Sequence, residues 1–415
     1  MISLILLFLS ILFCNCKKEL IIIDPPNPED MEGSPLISLW QIPLSEDITI
    51  RHSIIPALYN NGILYSEEKV FSEEPVILKY CDSDGNLIWE SNNTFEINCS
   101  SLAHSTGNSS FVYDHYYITT CDWDPRVIDI NDGSVLWHYE AIDERGPQIT
   151  HFNNLIFHTH LTGTNPYSSG SIVMTDIYSG IWDTVYTINM IDAYSVGISP
   201  PAAVINNVGD TIIYFQNRQW KSAPFDAKIE FYCYNMSMDT LVWKIDDIDP
   251  YGTGTIYPPL IYEGKVYFKG TYTVYCMDAE NGEIIWERLF TGAGEDLLYS
   301  NLLIVENKLI VKTSGESIYA LDTEGGAIIW DNQNAGSSPS DLVYFNGLIY
   351  YGSFGDGKLH AINSATGVQN WEMESPSDIS GPTSGANLAQ AVTIDPILNR
   401  LYATDGYYLI CYQLE

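Results

Sequence analysis

The feature that most constrains this chain is a short segment that recurs seven times. Its clearest copy runs Ala320-Leu-Asp322-Thr-Glu-Gly-Gly326-Ala-Ile-Ile-Trp330. The pattern predicts the end of one strand, a tight turn and the start of a second strand. Asp322 can hydrogen-bond within the turn, Gly326 suits a position with positive φ, and Trp330 anchors the outgoing strand. A unit that repeats at a fixed interval decides the fold before any single motif does.

The other copies keep the order of turn and then tryptophan, with two departures. Five of them place a tryptophan at the expected distance after the turn: Trp89, Trp137, Trp243, Trp286 and Trp371. Before Trp243, Asp239 replaces the glycine of the turn. The copy that starts at Asp176 has Thr184 at the expected position, and Trp182 lies out of register. The copies recur at intervals of about forty to fifty residues, which is the period of a propeller blade.

An eighth unit is divided between the two ends of the chain. Asn399-Arg-Leu-Tyr402 and Tyr408-Leu-Ile-Cys411 supply its early strands, and the matching tryptophan strand is Leu36-Ile-Ser-Leu-Trp40 near the N-terminus. The sequence therefore predicts an all-β fold over residues 34–415, an eight-bladed β-propeller whose N-terminal strand closes the last blade. Closure leaves no open sheet edge between the first and last blades.

The copy Ala361-Ile-Asn363-Ser-Ala-Thr366-Gly367-Val-Gln-Asn-Trp371 resembles the repeat of the PQQ-like (quinoprotein-type) β-propellers. The resemblance extends over roughly residues 34–415. It implies the fold more strongly than the function, because this fold serves quinoprotein dehydrogenases and non-catalytic lipoproteins alike. The dehydrogenases use a quinone, a calcium ion, an acidic base and commonly two adjacent cysteines. This sequence has no adjacent cysteines and no basic cluster for the quinone, so we expect no cofactor, no metal and no catalytic residues.

The first residues predict export and lipid anchoring. Residues 1–15 include an apolar run that is shorter than the roughly twenty residues needed to span a membrane. We interpret residues 1–15 as a lipoprotein signal peptide and Cys16 as the lipid anchor, with Cys14 as the alternative acceptor. No Lys or Arg precedes the run, in contrast to a usual signal. Residues 16–33 are interpreted as an extended tether to the propeller.

Acidic residues dominate the composition. The chain has 53 Asp and Glu against 18 Lys and Arg, and its formal net charge is −35. Nucleic acids and anionic membrane surfaces bind through patches of Lys and Arg. We therefore expect no nucleic-acid partner.

The cysteines are predicted to be mostly structural. Four of them lie at strand ends or at the position of Ala320 and are expected to be small core thiols: Cys81, Cys233, Cys276 and Cys411. Cys99 and Cys121 flank the early strands of one blade, where a disulfide is an alternative to two free thiols in an oxidising compartment. No Cys-x-x-Cys motif indicates zinc or redox chemistry.

Three short patterns resemble metal sites, and each also has a structural interpretation. His158 and His160 lie on one face of a strand without a visible third ligand, so we expect solvent-facing strand residues. The segment Asp82-Ser-Asp84-Gly85 resembles a calcium loop but lacks its closing glutamate and coincides with a repeat turn. The acidic segment 246–249 is expected to be a solvated loop.

Three tryptophans have no place in the repeat: Trp123, Trp182 and Trp220. All three fall between residues 120 and 225, where the units are longest. We interpret the extra length, including segments 162–170 and 216–225, as loops on a rigid scaffold, where binding residues concentrate. The three tryptophans are therefore candidate contacts for a ligand or partner. The alternative is that they only pack their own loops.

Three functions follow from these features. The first is a non-catalytic, lipid-anchored scaffold of the cell envelope, which resembles the propeller lipoprotein of the outer-membrane barrel-assembly machinery. It would be a monomeric propeller at the outer membrane, facing the periplasm or the exterior, with envelope proteins as partners and the membrane as its attachment. The second is a surface lipoprotein that binds a ligand such as a glycan through aromatic loops. The third, with the least support, is a quinoprotein dehydrogenase.

Overall fold

The computed structural model describes residues 35–44, 56–67, 77–91, 110–121, 124–139, 145–163, 167–191, 194–222, 225–249, 251, 257–292, 294–376 and 387–415. Within these residues the chain forms 33 β-strands that assemble into eight antiparallel sheets. The predicted all-β, eight-bladed propeller is therefore confirmed. No helix in this part of the chain is long and apolar enough to cross a membrane. The predicted signal peptide, Cys14, Cys16 and the tether lie outside the described residues.

Blades 1 to 4 occupy the N-terminal half of the ring. Blade 1 contains β2 (Ala57–Tyr59), β3 (Gly62–Glu67), β4 (Ile77–Cys81) and β5 (Leu87–Glu90). Blade 2 contains β6 (Ser110–Tyr113), β7 (Tyr116–Cys121), β8 (Asp124–Asp129) and β9 (Val135–His138). Blade 3 contains β10 (Arg145–Phe152), β11 (Leu155–Thr162), β12 (Ser169–Asp176) and β13 (Trp182–Asn189). Blade 4 contains β14 (Ser195–Ile198), β15 (Ala202–Ile205), β16 (Thr211–Ser222), β17 (Phe225–Asn235) and β18 (Thr240–Ile245).

Blades 5 to 8 complete the ring. Blade 5 contains β19 (Leu260–Tyr262), β20 (Lys265–Lys269), β21 (Thr273–Asp278) and β22 (Ile284–Leu289). Blade 6 contains β23 (Leu303–Val305), β24 (Lys308–Lys312), β25 (Ile318–Asp322) and β26 (Ile328–Asn332). Blade 7 contains β27 (Val343–Phe345), β28 (Leu348–Gly352), β29 (Leu359–Asn363) and β30 (Gln369–Met373). Blade 8 contains β31 (Thr393–Asp395), β32 (Arg400–Thr404), β33 (Tyr408–Gln413) and β1 (Ile37–Pro43).

The first strand of each blade is the innermost. First strands of several neighbouring blades contact one another, for example β2 with β6 and β27 with β31. The turns between first and second strands, and between third and fourth strands, share one end of the ring, which we call the turn face. The remaining connections lie at the opposite end, which we call the loop face, because successive antiparallel strands reverse direction.

The N-terminal strand closes the ring, as predicted. β1 pairs antiparallel with β33, and Trp40 lies opposite Cys411. The indole N–H of Trp40 then reaches into blade 1 and donates to Ser83 O at 2.9 Å. Blade 8 is therefore built from both ends of the chain and is bonded to blade 1.

The repeat encodes contacts between neighbouring blades. Trp330 of blade 6 donates its indole N–H to Ser364 O at 3.0 Å, and its ring lies directly on Gly367 of blade 7. A Cβ added at Gly367 would lie 2.4 Å from that ring. The same contact joins five further pairs: Trp40 with Gly85, Trp89 with Gly133, Trp137 with Gly180, Trp243 with Gly282 and Trp286 with Gly326. Each tryptophan thus anchors the following blade as well as its own strand.

Two positions depart from this contact for identifiable reasons. Between blades 3 and 4, Thr184 replaces the tryptophan and Asp239, with φ of 52°, replaces the glycine. Tyr186 fills this junction by packing on Tyr234, with ring centroids 4.9 Å apart. Trp371 faces blade 8, where the two ends of the chain replace the turn. It packs instead on Tyr350 of its own blade, with ring centroids 5.8 Å apart.

Two polar groups expected in solvent are buried. His158 is 1% exposed and contacts Thr175 Oγ1 at 3.2 Å, and Asp249 is fully buried and accepts a bond from the backbone N–H of Thr271. The predictions of solvent-facing histidines and of a solvated acidic loop were therefore wrong for these two residues. The cause is the ring, because each neighbouring blade covers a face that would be exposed in a single sheet.

Candidate functional site

Blade 4 departs most clearly from the repeat because its second and third strands are extended. β16 and β17 pair continuously from Ile212 opposite Asn235 to Ser222 opposite Phe225. The equivalent strands of blades 5 to 7 are only five or six residues long. Segment 216–225, predicted to be mainly loop, is therefore mostly a regular hairpin that extends toward the loop face.

The first strand of blade 4 is also divided, so this sheet has five strands. β14 and β15 both pair with β16, and Pro200-Pro201 lies between them. Proline has no backbone N–H for a strand ladder, which accounts for the break. β14 then supports the upper part of the hairpin, where Gly197 lies against the ring of Trp220.

Cationic and aromatic side chains pair in two sets on and beside this hairpin. Arg218 lies over the Trp220 ring at 4.9 Å, and Tyr167 of blade 3 contacts that ring edge-on at 6.3 Å. The ammonium groups of two lysines lie over the ring of Tyr194 at 4.6 and 5.1 Å. Arg218 and Trp220 lie on one face of the hairpin, and Lys221 and Lys228 lie on the other, because side chains alternate along a strand. We call the two sets together the cation–aromatic surface, and its members are Tyr167, Tyr194, Arg218, Trp220, Lys221 and Lys228.

Local electrostatics hold part of this surface in place. The Tyr194 hydroxyl hydrogen-bonds Asp226, and Lys221 lies 3.4 Å from the same carboxylate. The Tyr194 hydroxyl, followed by Lys221, lowers the pKa of Asp226, so it is charged at neutral pH. Burial lowers the pKa of Arg218. Arg218 on one face of the hairpin, and Lys221 and Lys228 on the other, give a chain of net charge −35 two places suited to an anionic group of a partner.

A buried carboxylate supports the hairpin from below. Glu230 accepts hydrogen bonds from Asn217 at 3.0 Å, from Gln219 at 2.6 Å and from the Tyr232 hydroxyl at 2.6 Å. Lys244 adds an ion pair at 2.7 Å. Four donors on one buried carboxylate fix the relative positions of both strands, so the surface above them is preorganised.

The structure describes two of the three unassigned tryptophans, and these two lie apart. Trp182 is 53% exposed, lies beside the turn face at the start of β13 and contacts Tyr139 edge-on. Trp220 lies near the opposite end of the ring, close to the hairpin tip. Trp123 lies outside the described residues, as does Cys99. Of the two candidate tryptophans that the structure describes, Trp220 belongs to the cation–aromatic surface and Trp182 does not.

Sequence reasoning missed Tyr194, Arg218 and the two lysines of this surface. The sequence does contain a signal for the basic members of this surface. Basic residues are rare in this chain, and three of them fall within residues 218–228.

A quinone cofactor would require cationic donors for its carboxylates, and the two buried lysines near the loop face do not fit that role. Lys312 donates to three backbone carbonyls, those of Thr313, Gly315 and Gly336, at 3.1, 2.5 and 2.8 Å. Lys269 donates to the carbonyl of Tyr299 at 2.8 Å and to that of Ser300. The ammonium groups of both lysines therefore donate to backbone carbonyls of the protein's own loops. Within the described residues, no group of three His, Cys, Asp or Glu side chains is arranged to hold a metal ion.

Comparisons with known proteins support the resemblance to PQQ-like propellers. A family model described as outer membrane protein assembly factor BamB matches residues 228–415. The crystal structure of BamB from Moraxella catarrhalis is 16% identical and superposes with a TM-score of 0.57, covering 92% of this chain and 98% of that chain. No curated protein sequence matches the chain.

Two dehydrogenases have similar folds. A europium-containing methanol dehydrogenase is 11% identical with a TM-score of 0.65, covering 93% of this chain and 94% of that chain. The quinohemoprotein alcohol dehydrogenase from Comamonas testosteroni is 11% identical with a TM-score of 0.61, covering 91% of this chain and 76% of that chain. At these identities the similarity establishes the propeller fold alone. The resemblance to PQQ-like propellers is thus confirmed, and the fold is shared by proteins with and without catalytic activity.

Proposed function

We propose that this chain is a non-catalytic, lipid-anchored propeller of the cell envelope that acts as a scaffold in outer-membrane protein assembly. The observation that carries the proposal is the match of residues 228–415 to the BamB family model. In this proposal Cys16 carries the lipid, and the propeller is a monomer attached to the outer membrane. Its partners are other proteins of the envelope.

The cation–aromatic surface is the part of the ring best suited to bind such a partner. Large aromatic side chains and arginine carry most of the binding energy at protein interfaces. Trp220 and Arg218 are held against each other at 4.9 Å, on a hairpin supported by Glu230. Binding to a surface that is already ordered loses little conformational entropy.

Affinity purification of the full-length lipoprotein from its native membranes tests this function. We expect outer-membrane assembly proteins to co-purify with the unmodified chain. Trp220→Ala should weaken the interaction by about 2 kcal/mol, or roughly thirtyfold, as for a central interface aromatic. Trp182→Ala removes an exposed tryptophan at the opposite end of the ring and should leave recovery unchanged.

Two results would contradict the proposal. One is that no envelope protein co-purifies with the intact lipoprotein, and the other is dye-linked dehydrogenase activity after addition of quinone and calcium. Replacement of Cys16 by serine should abolish incorporation of labelled fatty acid, whereas replacement of Cys14 should not.

A second candidate function is glycan binding, which the partly exposed aromatic rings on and beside the same hairpin favour. Tyr167, Tyr194 and Trp220 offer ring faces and edges of the kind that sugars contact. Glycan-array binding that disappears in Trp220→Ala, without recovery of envelope proteins, would favour this function over the scaffold.

A further inference from the structure

Two buried cysteines lie in one core cluster at the point where the ring closes. Cys411 lies on β33 of blade 8 and Cys81 on β4 of blade 1, and both are fully buried thiols. They belong to one core cluster, together with Trp40 and Tyr402. The junction between blades 8 and 1 thus brings together two residues from opposite ends of the chain.

The repeat explains why these two positions meet. At five junctions, the third-strand residue opposite the tryptophan shares a core cluster with a third-strand residue of the next blade. That second residue lies one position after the one opposite the next blade's own tryptophan. The residues that share a cluster in this way are Cys233 and Met277, Cys276 and Leu321, Ala320 and Ile362, Ala361 and Tyr412, and Cys411 and Cys81. Among these five junctions, the seam alone has cysteine at both positions.

We propose that Cys81 and Cys411 form a disulfide that closes the propeller covalently when the chain folds in an oxidising compartment. The oxidising compartment rests on the proposed envelope function. A disulfide can join two packed sheets, as the one between the sheets of immunoglobulin domains does. A bond here would tie blade 1 to blade 8 and close residues 81–411 into one loop.

The reaction is a thiol–disulfide exchange. The two thiols lose two protons and two electrons and become one disulfide, while the disulfide of an oxidising protein or of glutathione gains them and becomes two thiols. Burial raises the pKa of both thiols to about 12, so the reactive thiolate is scarce in the closed ring. The bond must therefore form as the ring closes, after which the packed blades protect it.

Refolding the full chain in a glutathione buffer tests the geometry of this pair. All variants would carry Cys99→Ser and Cys121→Ser, so that this other candidate disulfide does not contribute. We expect the oxidised chain to migrate faster on a non-reducing gel, because the bond closes a very long loop, and to unfold at higher urea than the reduced chain.

Cys411→Ala and Cys81→Val should each abolish both effects. Alanine and aliphatic residues occupy these positions in other blades, so both variants should fold. Cys233→Ala should leave both effects intact.

Labelling of thiols with a maleimide polymer, in denaturant and without reductant, tests the state of the pair in the native protein. We expect Cys81 and Cys411 to remain unlabelled in protein extracted from its own envelope and to become labelled after reduction. Absence of the faster band on refolding would overturn the geometric basis of the proposal. A faster band on refolding combined with full labelling of native protein would overturn the bond as a native feature. If envelope proteins still co-purify with a chain that lacks this disulfide, the disulfide proposal fails while the proposed scaffold function is retained.

Discussion

Replacing Trp330 with alanine should lower the free energy of unfolding by about 3–5 kcal/mol, the usual cost of removing a large buried aromatic side chain. Trp330 is 8% exposed and joins blade 6 to blade 7 through its bond to Ser364 O and its packing on Gly367. The variant loses this packing and leaves the Ser364 carbonyl without its indole donor. Urea denaturation followed by tryptophan fluorescence and circular dichroism measures the change.

Trp182→Ala is the matched control for this experiment. Trp182 is 53% exposed and contacts no repeat glycine, so its removal should change the free energy of unfolding by no more than about 0.5–1 kcal/mol. Equal losses for the two variants would contradict the assignment of the repeat tryptophan as a contact between blades.

Replacing Gly367 with alanine should destabilise the protein more than the same change at Gly264. Both glycines have φ of +73°, so alanine meets the same backbone strain of about 1–2 kcal/mol at each position. At Gly264 nothing lies within 4 Å of the added Cβ, whereas at Gly367 it meets the Trp330 ring at 2.4 Å. Overpacking of this kind adds about 1–3 kcal/mol.

The difference between these two alanine variants isolates the contact between blades from the backbone strain. Urea midpoints of both variants would be measured under identical conditions, together with those of the double variant Trp330→Ala/Gly367→Ala. In the double variant the added Cβ no longer meets a ring, so the two losses should be less than additive. Additive losses, or equal losses at Gly264 and Gly367, would contradict direct packing of Trp330 on Gly367.

The ring could be predicted from the sequence because its main contact is written into each repeat. The tryptophan and the glycine lie on adjacent blades, so their recurrence specifies both the blade and its neighbour. The junction between blades 3 and 4 lacks both partners of this contact. Thr184 stands at the tryptophan position of blade 3, and Asp239 stands at the glycine position of blade 4. The split blade was predictable for the same reason, since Trp40 is a tryptophan strand without a preceding turn.

Burial of polar residues and the extent of the blade 4 hairpin could not be predicted in the same way. Whether His158 or Asp249 is buried depends on how the neighbouring blade packs on it, through residues such as Tyr139 and Thr271, which no local sequence pattern reports. Residues 216–221 are almost all polar and a proline follows them, so their composition resembles that of a loop. The cation–aromatic surface then forms from residues 167, 194 and 218–228, which the fold alone brings together.

The central claim is that the segment with Trp40 is a strand of blade 8, and hydrogen exchange on the native full-length chain tests it most directly. β1 pairs with β33 from Ile37 opposite Gln413 to Pro43 opposite Tyr408. The account predicts that the amides of β1 bonded to β33 exchange as slowly as those of β33 itself. Exchange of β1 at the rate of an unstructured chain, while β33 stays protected, would contradict closure of the ring by the N-terminal strand.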